Sequence, residues 1–204
     1  MIDPKLKNLR HLSGANFLMS EVGAAAEATI SDANKFFIMG QWRTATRDLL
    51  DAVGWSESKI VMRAFDGGAT LQISAPTDAL FSATHLVKAS WDAITSKLAG
   101  DEYDYVAAVD MLVAKITEEL SPLQVALEDK AIQMELTFLG HDDKISIGLG
   151  RGSKVYTAAD LPAVGAVDWE RLYDIPVAMV TGTNGKSTTV RLAAAIGAAA
   201  GATG

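Results

Sequence analysis

The chain has 204 residues, 49% hydrophobic and 21% charged, with a formal net charge of −7. This length and balance describe a globular chain able to bury a core, and they exclude a disordered one. The acidic excess and the lack of Lys/Arg runs argue against nucleic acid or an anionic membrane as partner, and the absence of cysteine excludes disulfides, thiolate metal sites and a cysteine nucleophile.

In chain order, residues 1–17 lack the apolar run of a signal peptide, and no run of about 18 apolar residues follows anywhere. A cytoplasmic location is the expectation. Residues 23–30 and 35–40 read as two short extended segments. Residues 41–55 read as a helix, with Trp42, Ala45, Leu49, Leu50 and Val53 near helical spacing and Gly54 as the stop. Residues 59–76 read as a hairpin turning at Asp66, Gly67 and Gly68.

Thr77 and Asp78 are expected to cap the next helix, whose apolar face is Leu80, Phe81, Thr84, Val87, Trp91, Ile94 and Leu98, ending at Gly100. Asp101 is expected to cap the helix after it. Ser121, Pro122 and Gln124 form a capping box that starts another helix toward Ala131. A second hairpin follows, turning at His141, Asp142 and Asp143. Residues 151–167 read as a connector, and residues 168–176 as one or two helical turns capped by Asp168.

Residues 1–167 therefore read as an α+β domain with two β-hairpins and several helices. Residues 168–204 change character. A buried-type strand at residues 176–180, a glycine loop and a helix make the opening of a parallel α/β domain.

The loop is the strong motif. Gly182, Thr183, Asn184, Gly185, Lys186, Ser187 and Thr188 read G-T-N-G-K-S-T. Glycines let the backbone curl so that successive N–H groups point at phosphate oxygens, and the following helix adds the positive end of its dipole. In this reading Lys186 reaches the β- and γ-phosphates of ATP, and the Ser187 hydroxyl ligates Mg²⁺. The spacing departs from G-x-x-x-x-G-K-[ST], because Val180 stands where the first glycine belongs.

Other residues carry weaker signals. Asn16 suits a turn, Arg43 a solvated helix face, His85 the edge of an apolar stripe, Glu118 and Glu119 a helix surface. His141, Asp142 and Asp143 suit a hairpin tip better than a metal site. Trp42, Trp55 and Trp91 read as packing residues. Gly148, Gly150 and Gly152 form G-x-G-x-G without a following helix pattern, which argues against a dinucleotide site.

Residues 175–192, IPVAMVTGTNGKSTTVRL, resemble the nucleotide loop of the Mur ligase superfamily. Ser187 and Thr188 after the lysine are similar to the cyanophycin-synthetase-like form. Residues 147–156 resemble the glycine segment that precedes the loop there, and residues 9–17 its opening, more weakly. No room exists for the ATP-grasp domain of cyanophycin synthetase.

The resemblance implies an ATP- and Mg²⁺-dependent ligase. It would join an amino-acid or peptide-like substrate to a carboxylate through an acyl phosphate, with Lys186 as the catalytic residue. It also implies that the remaining catalytic groups lie downstream of the loop, so that this chain is the front piece of a longer enzyme and inactive alone. A P-loop ATPase switch or binding module without ligase activity is the alternative. A weaker third reading has the first 165 or so residues acting alone as an interaction domain.

Overall fold

Alanine lines the middle of the larger sheet. The computed structural model describes residues 4–141 and 143–201. Strands β1 (Lys5–Leu12), β2 (Gly23–Thr29), β3 (Ile60–Phe65) and β4 (Gly68–Ser74) form an antiparallel sheet in the order β1-β2-β4-β3. Alanine is a poor strand former, and burial overrides that preference here. On one face Ala24, Ala26 and Ala28 join Leu71 and Ile73 in the core. On the other, Ala25 pairs with Gln72, and both are buried. Arg63 also projects from that outer face and lies 5.6 Å from the Phe17 ring, so the β1–β2 loop folds back over it.

Helices α1 (Lys35–Ala52) and α2 (Leu80–Ala99) cover the inner face, and α3 (Tyr105–Glu119) adds Leu112. Trp42, Leu49, Leu50, Leu71, Leu86 and Val87 are fully buried among them. Each such side chain contributes about 1.5–3 kcal/mol of transfer free energy.

The extended reading of residues 35–40 is overturned, because they form the first turns of α1. Ile38, Trp42, Thr46 and Leu49 are buried on one helical stripe, so the 3.6-residue period begins earlier than residue 41. Phe36 and Phe37 face solvent. On α2 the buried stripe runs through Leu80, Ala83, Val87, Trp91 and Ile94, while Phe81 lies off it and Leu98, which continues it to the helix end, is exposed.

The caps also differ from expectation. Neither Thr77 nor Asp78 caps α2, which starts from Ala79 without a side-chain cap. Asp104, not Asp101, caps α3, accepting from Ala107 N at 2.9 Å. Asp101 instead closes the end of α2 by donating its N–H to Ser96 O.

A second unit follows. Helix α4 (Pro122–Gln133) packs on an antiparallel sheet of β5 (Phe138–His141), β6 (Lys144–Ile147) and β7 (Lys154–Thr157), in the order β5-β6-β7. Its own core holds Leu127, Ala131, Ile147 and Val167, with Phe138, Tyr156 and Leu172 against them. The segment expected to be a connector thus contains a strand, β7, which adds to the predicted hairpin. Asp142, expected in the turn, lies outside the described residues.

One carboxylate ties the units together, and a second joins two helices within the first unit. Asp78, buried, accepts from Ser121 N at 2.9 Å, where the capping box would have used the Gln124 side chain. Gln124 Nε2 donates to Thr77 O instead, while Ser121 Oγ accepts from Gln124 N as expected. Glu119 accepts from Phe81 N, Ser82 N and Ser82 Oγ, supplying the missing cap of α2 from the far end of α3.

The fold is thus α+β, with two antiparallel sheets and five helices among the described residues, the last being α5 (Lys186–Ala199). Residues 176–180 form no strand and are exposed, against expectation. A buried-type strand holds its shape only with neighbours and cover on both faces, and among the described residues no neighbouring strand reaches it. Among the described residues no helix is long and apolar enough to cross a membrane.

Candidate phosphate-binding site

The glycine loop is carried on an anchored stalk. Tyr173 N donates to Gly152 O at 3.0 Å, and Leu149 N donates to Tyr173 O at 3.3 Å. One residue on, Asp174 Oδ2 accepts from Thr137 N at 3.0 Å and from Thr137 Oγ1. The glycine series explains itself here. A Cβ on Gly152 would sit 2.2 Å from Tyr173 O, and one on Gly150 would sit 2.2 Å from Ile175 Cδ1. Only glycine lets residues 173–175 lie this close to the turn at residues 150–152.

Beyond Ile175 the chain leaves the second unit. Gly185 adopts a left-handed conformation, φ 81°, as the N-cap of α5. A side chain is strained in that conformation, which accounts for the glycine directly before Lys186. The first intrahelical bond of the turn runs from Thr189 N to Gly185 O. The N–H groups of Lys186, Ser187 and Thr188 therefore have no acceptor within the helix and point off its end. No acidic residue sits in that first turn to compete for them.

Lys186 Nζ donates back to Gly182 O across the loop. The Ser187 and Thr188 hydroxyls make no protein hydrogen bond among the described residues. The loop from Gly182 to Thr188 is exposed throughout. The structure thus brings all seven sequence-predicted residues, Gly182, Thr183, Asn184, Gly185, Lys186, Ser187 and Thr188, into one turn at a helix N-terminus.

A triphosphate fits this donor set: three backbone N–H groups, a lysine ammonium and two hydroxyls, with no carboxylate among them. A magnesium ion fits only in part. Among the described residues no three His, Cys, Asp or Glu side chains gather to hold a metal. Ser187 alone would ligate it, the rest of its shell being phosphate oxygens and water.

The other sequence candidates lie elsewhere. Asn16 Oδ1 accepts from Leu18 N and Met19 N, a turn role. Arg43 is exposed on α1. His85 borders a shallow surface cleft with Lys115 and Glu118, and burial, then the Lys115 charge, hold its pKa below the ordinary value. His141 belongs to β5. Trp42 and Trp91 are core residues, and Trp55 packs half-buried at the core edge.

Sequence reasoning missed Tyr173, Asp174 and Thr137, which anchor the stalk. The glycine series was the available signal, although its partner lies about 20 residues away. No protein-family model matches this chain, and no curated protein matches it.

Proposed function

We propose that this chain is the N-terminal part of an ATP-dependent Mur-type ligase, with residues 182–188 as its phosphate loop. The observation that carries the reading is the first turn of α5. Its free N–H groups, Lys186 and Ser187 stand together behind a left-handed glycine, in the order G-K-S.

In the proposed complex the N–H groups of Lys186, Ser187 and Thr188 bind phosphate oxygens, aided by the helix dipole. Lys186 leaves Gly182 O and takes the β- and γ-phosphates. Its charge offsets the negative charge that develops as the terminal phosphoryl group moves. Ser187 orients its hydroxyl toward Mg²⁺, whose chemistry when bound is to neutralise phosphate charge.

By resemblance, the phosphoryl group passes to a substrate carboxylate and ADP leaves. An amine then attacks the acyl carbon and expels phosphate, forming the amide bond. The remaining groups of that reaction would come from sequence beyond this chain. Two features support an unfinished domain. Val190, Leu192 and Ile196 of α5 are exposed, and among the described residues the apolar segment 176–180 has no strand partner.

The test begins with the mass of the native polypeptide in its source cells. Phosphate release from ATP by that protein is then screened against amino acids and carboxylate acceptors. Amino-acid-dependent release with an amide product supports the ligase. Release without any amide product, across the whole screen, would leave only an ATPase and defeat the proposal.

A further inference from the structure

Two arms of the second unit enclose a cleft of about 440 Å³. The turn at residues 150–152 and strand β7 supply Arg151, Lys154 and Tyr156, and residues 166–172 supply Asp168 and Arg171. Three cations and one carboxylate thus line it, in a chain whose net charge is −7. Asp168 Oδ2 lies 3.1 Å from Arg171 Nε, so the acid is matched by that arginine. Lys154 has no ion-pair partner among the described residues.

Guanidinium and ammonium groups around a half-enclosed space are the groups that hold oxyanions. Tyr156 adds a neutral donor, because burial pushes its phenol above the ordinary value and keeps the proton on oxygen. The cleft is also placed to matter. Gly152, one of its lining residues, accepts the latch bond from Tyr173 N, and Leu172, another, directly precedes Tyr173. An occupant therefore touches the base of the stalk that carries the glycine loop.

We propose that this cleft is a second anion site, separate from the loop. Its ligand is a small organic molecule bearing at least two oxyanion groups, carboxylate or phosphate. The proposal does not depend on the ligase reading.

Calorimetric titration with citrate and, separately, pyrophosphate tests it. The proteins are the unaltered chain, a Lys154→Ala/Arg171→Ala double variant, a Lys154→Glu variant and Lys186→Ala. Lys154 and Arg171 are exposed, and far-UV circular dichroism checks that each variant keeps its fold. The expected result is binding of at least one probe that survives Lys186→Ala. Each lost charge-assisted hydrogen bond should weaken it about tenfold, so both Lys154 variants bind less tightly. Citrate alone identifies a carboxylate ligand and pyrophosphate alone a phosphate, either in support. Binding that disappears in Lys186→Ala but persists in the Lys154 variants would assign the anion to the loop and overturn the proposal. Absence of binding by both probes up to millimolar concentration would overturn it too.

Discussion

Tyr173 and Gly152 hold each other by a backbone hydrogen bond of 3.0 Å, at a contact where a single methyl group on Gly152 would lie 2.2 Å from Tyr173 O. The glycine loop hangs from this contact and from the Asp174–Thr137 pair beside it. Glycine is required by the neighbour, and the neighbour is fixed by the absent side chain.

Gly152→Ala should therefore release the stalk. The forced shift costs about 1–3 kcal/mol locally. Hydrogen exchange at the amides of Leu149 and Tyr173 should accelerate, while amides in β2 and β4 keep their protection. Unchanged exchange at both latch amides would show that the contact relaxes without cost.

Lys186→Ala and Ser187→Ala address the loop itself. Lys186→Ala removes a charged donor worth about 1.5–3 kcal/mol, so affinity for MgATP should fall roughly 10- to 100-fold. Ser187→Ala should weaken MgATP more than metal-free ATP. A fluorescent ATP analogue titrated with and without Mg²⁺ reads both effects. Equal affinity in Lys186→Ala and the unaltered chain would remove Lys186 from the site.

How much of this was readable beforehand depends on range along the chain. Ser121 with Gln124 was legible because a cap spans three residues. Asp78 with Ser121 was not, because 43 residues separate them, and nothing local marks Asp78 as another helix's acceptor. Phe36 and Phe37 favour strands by propensity, but Ile38 and Trp42 are drawn into the core on a helical stripe, and burial decided. The candidate loop stood out because its motif sits in seven consecutive residues. Its anchor did not, because the glycines state only that something approaches, and not what.

Glu119→Ala should destabilise the helical layer. Its carboxylate takes Phe81 N and Ser82 N, each at 2.7 Å, and Ser82 Oγ at 2.6 Å. Loss of a comparable helix cap costs about 1–2 kcal/mol. The thermal midpoint of unfolding should fall for Glu119→Ala and recover in part for Glu119→Gln, which keeps one acceptor oxygen. An unchanged midpoint in Glu119→Ala would mean the cap carries no weight.

Glu128 gives the pH dependence. Burial is the main cause that raises its pKa above the ordinary carboxylate value, with the charges of Asp129 and Asp78 adding to it and a hydrogen bond from Thr77 opposing. The folded state therefore holds the Glu128 proton more tightly than the unfolded chain does. Its contribution is fully present below the unfolded pKa and is lost as pH rises through the folded one. Glu128→Gln should flatten this part of the stability profile between mildly acidic and neutral pH and stabilise the protein at pH 7. Urea midpoints across that range check it, and parallel profiles for the two proteins would exclude Glu128 as the source.

Amides along α5 should exchange with little protection in a dilute monomer, because its apolar residues find no cover. The chain alone should form no amide product from ATP and amino acids. Strong protection of α5, or product from the purified chain, would each contradict the reading of an unfinished nucleotide domain.

The anchored stalk is also a ruler. Ile175 is fixed against Gly150, and the loop begins at Gly182, seven peptide units later. A fully stretched chain of that length reaches about 25 Å. However the exposed segment swings, the glycine loop stays on a leash of that radius about Ile175, beside the cleft. One molecule engaging both would be held to that span, and a ligand in the cleft would sense the loop's load at high effective concentration.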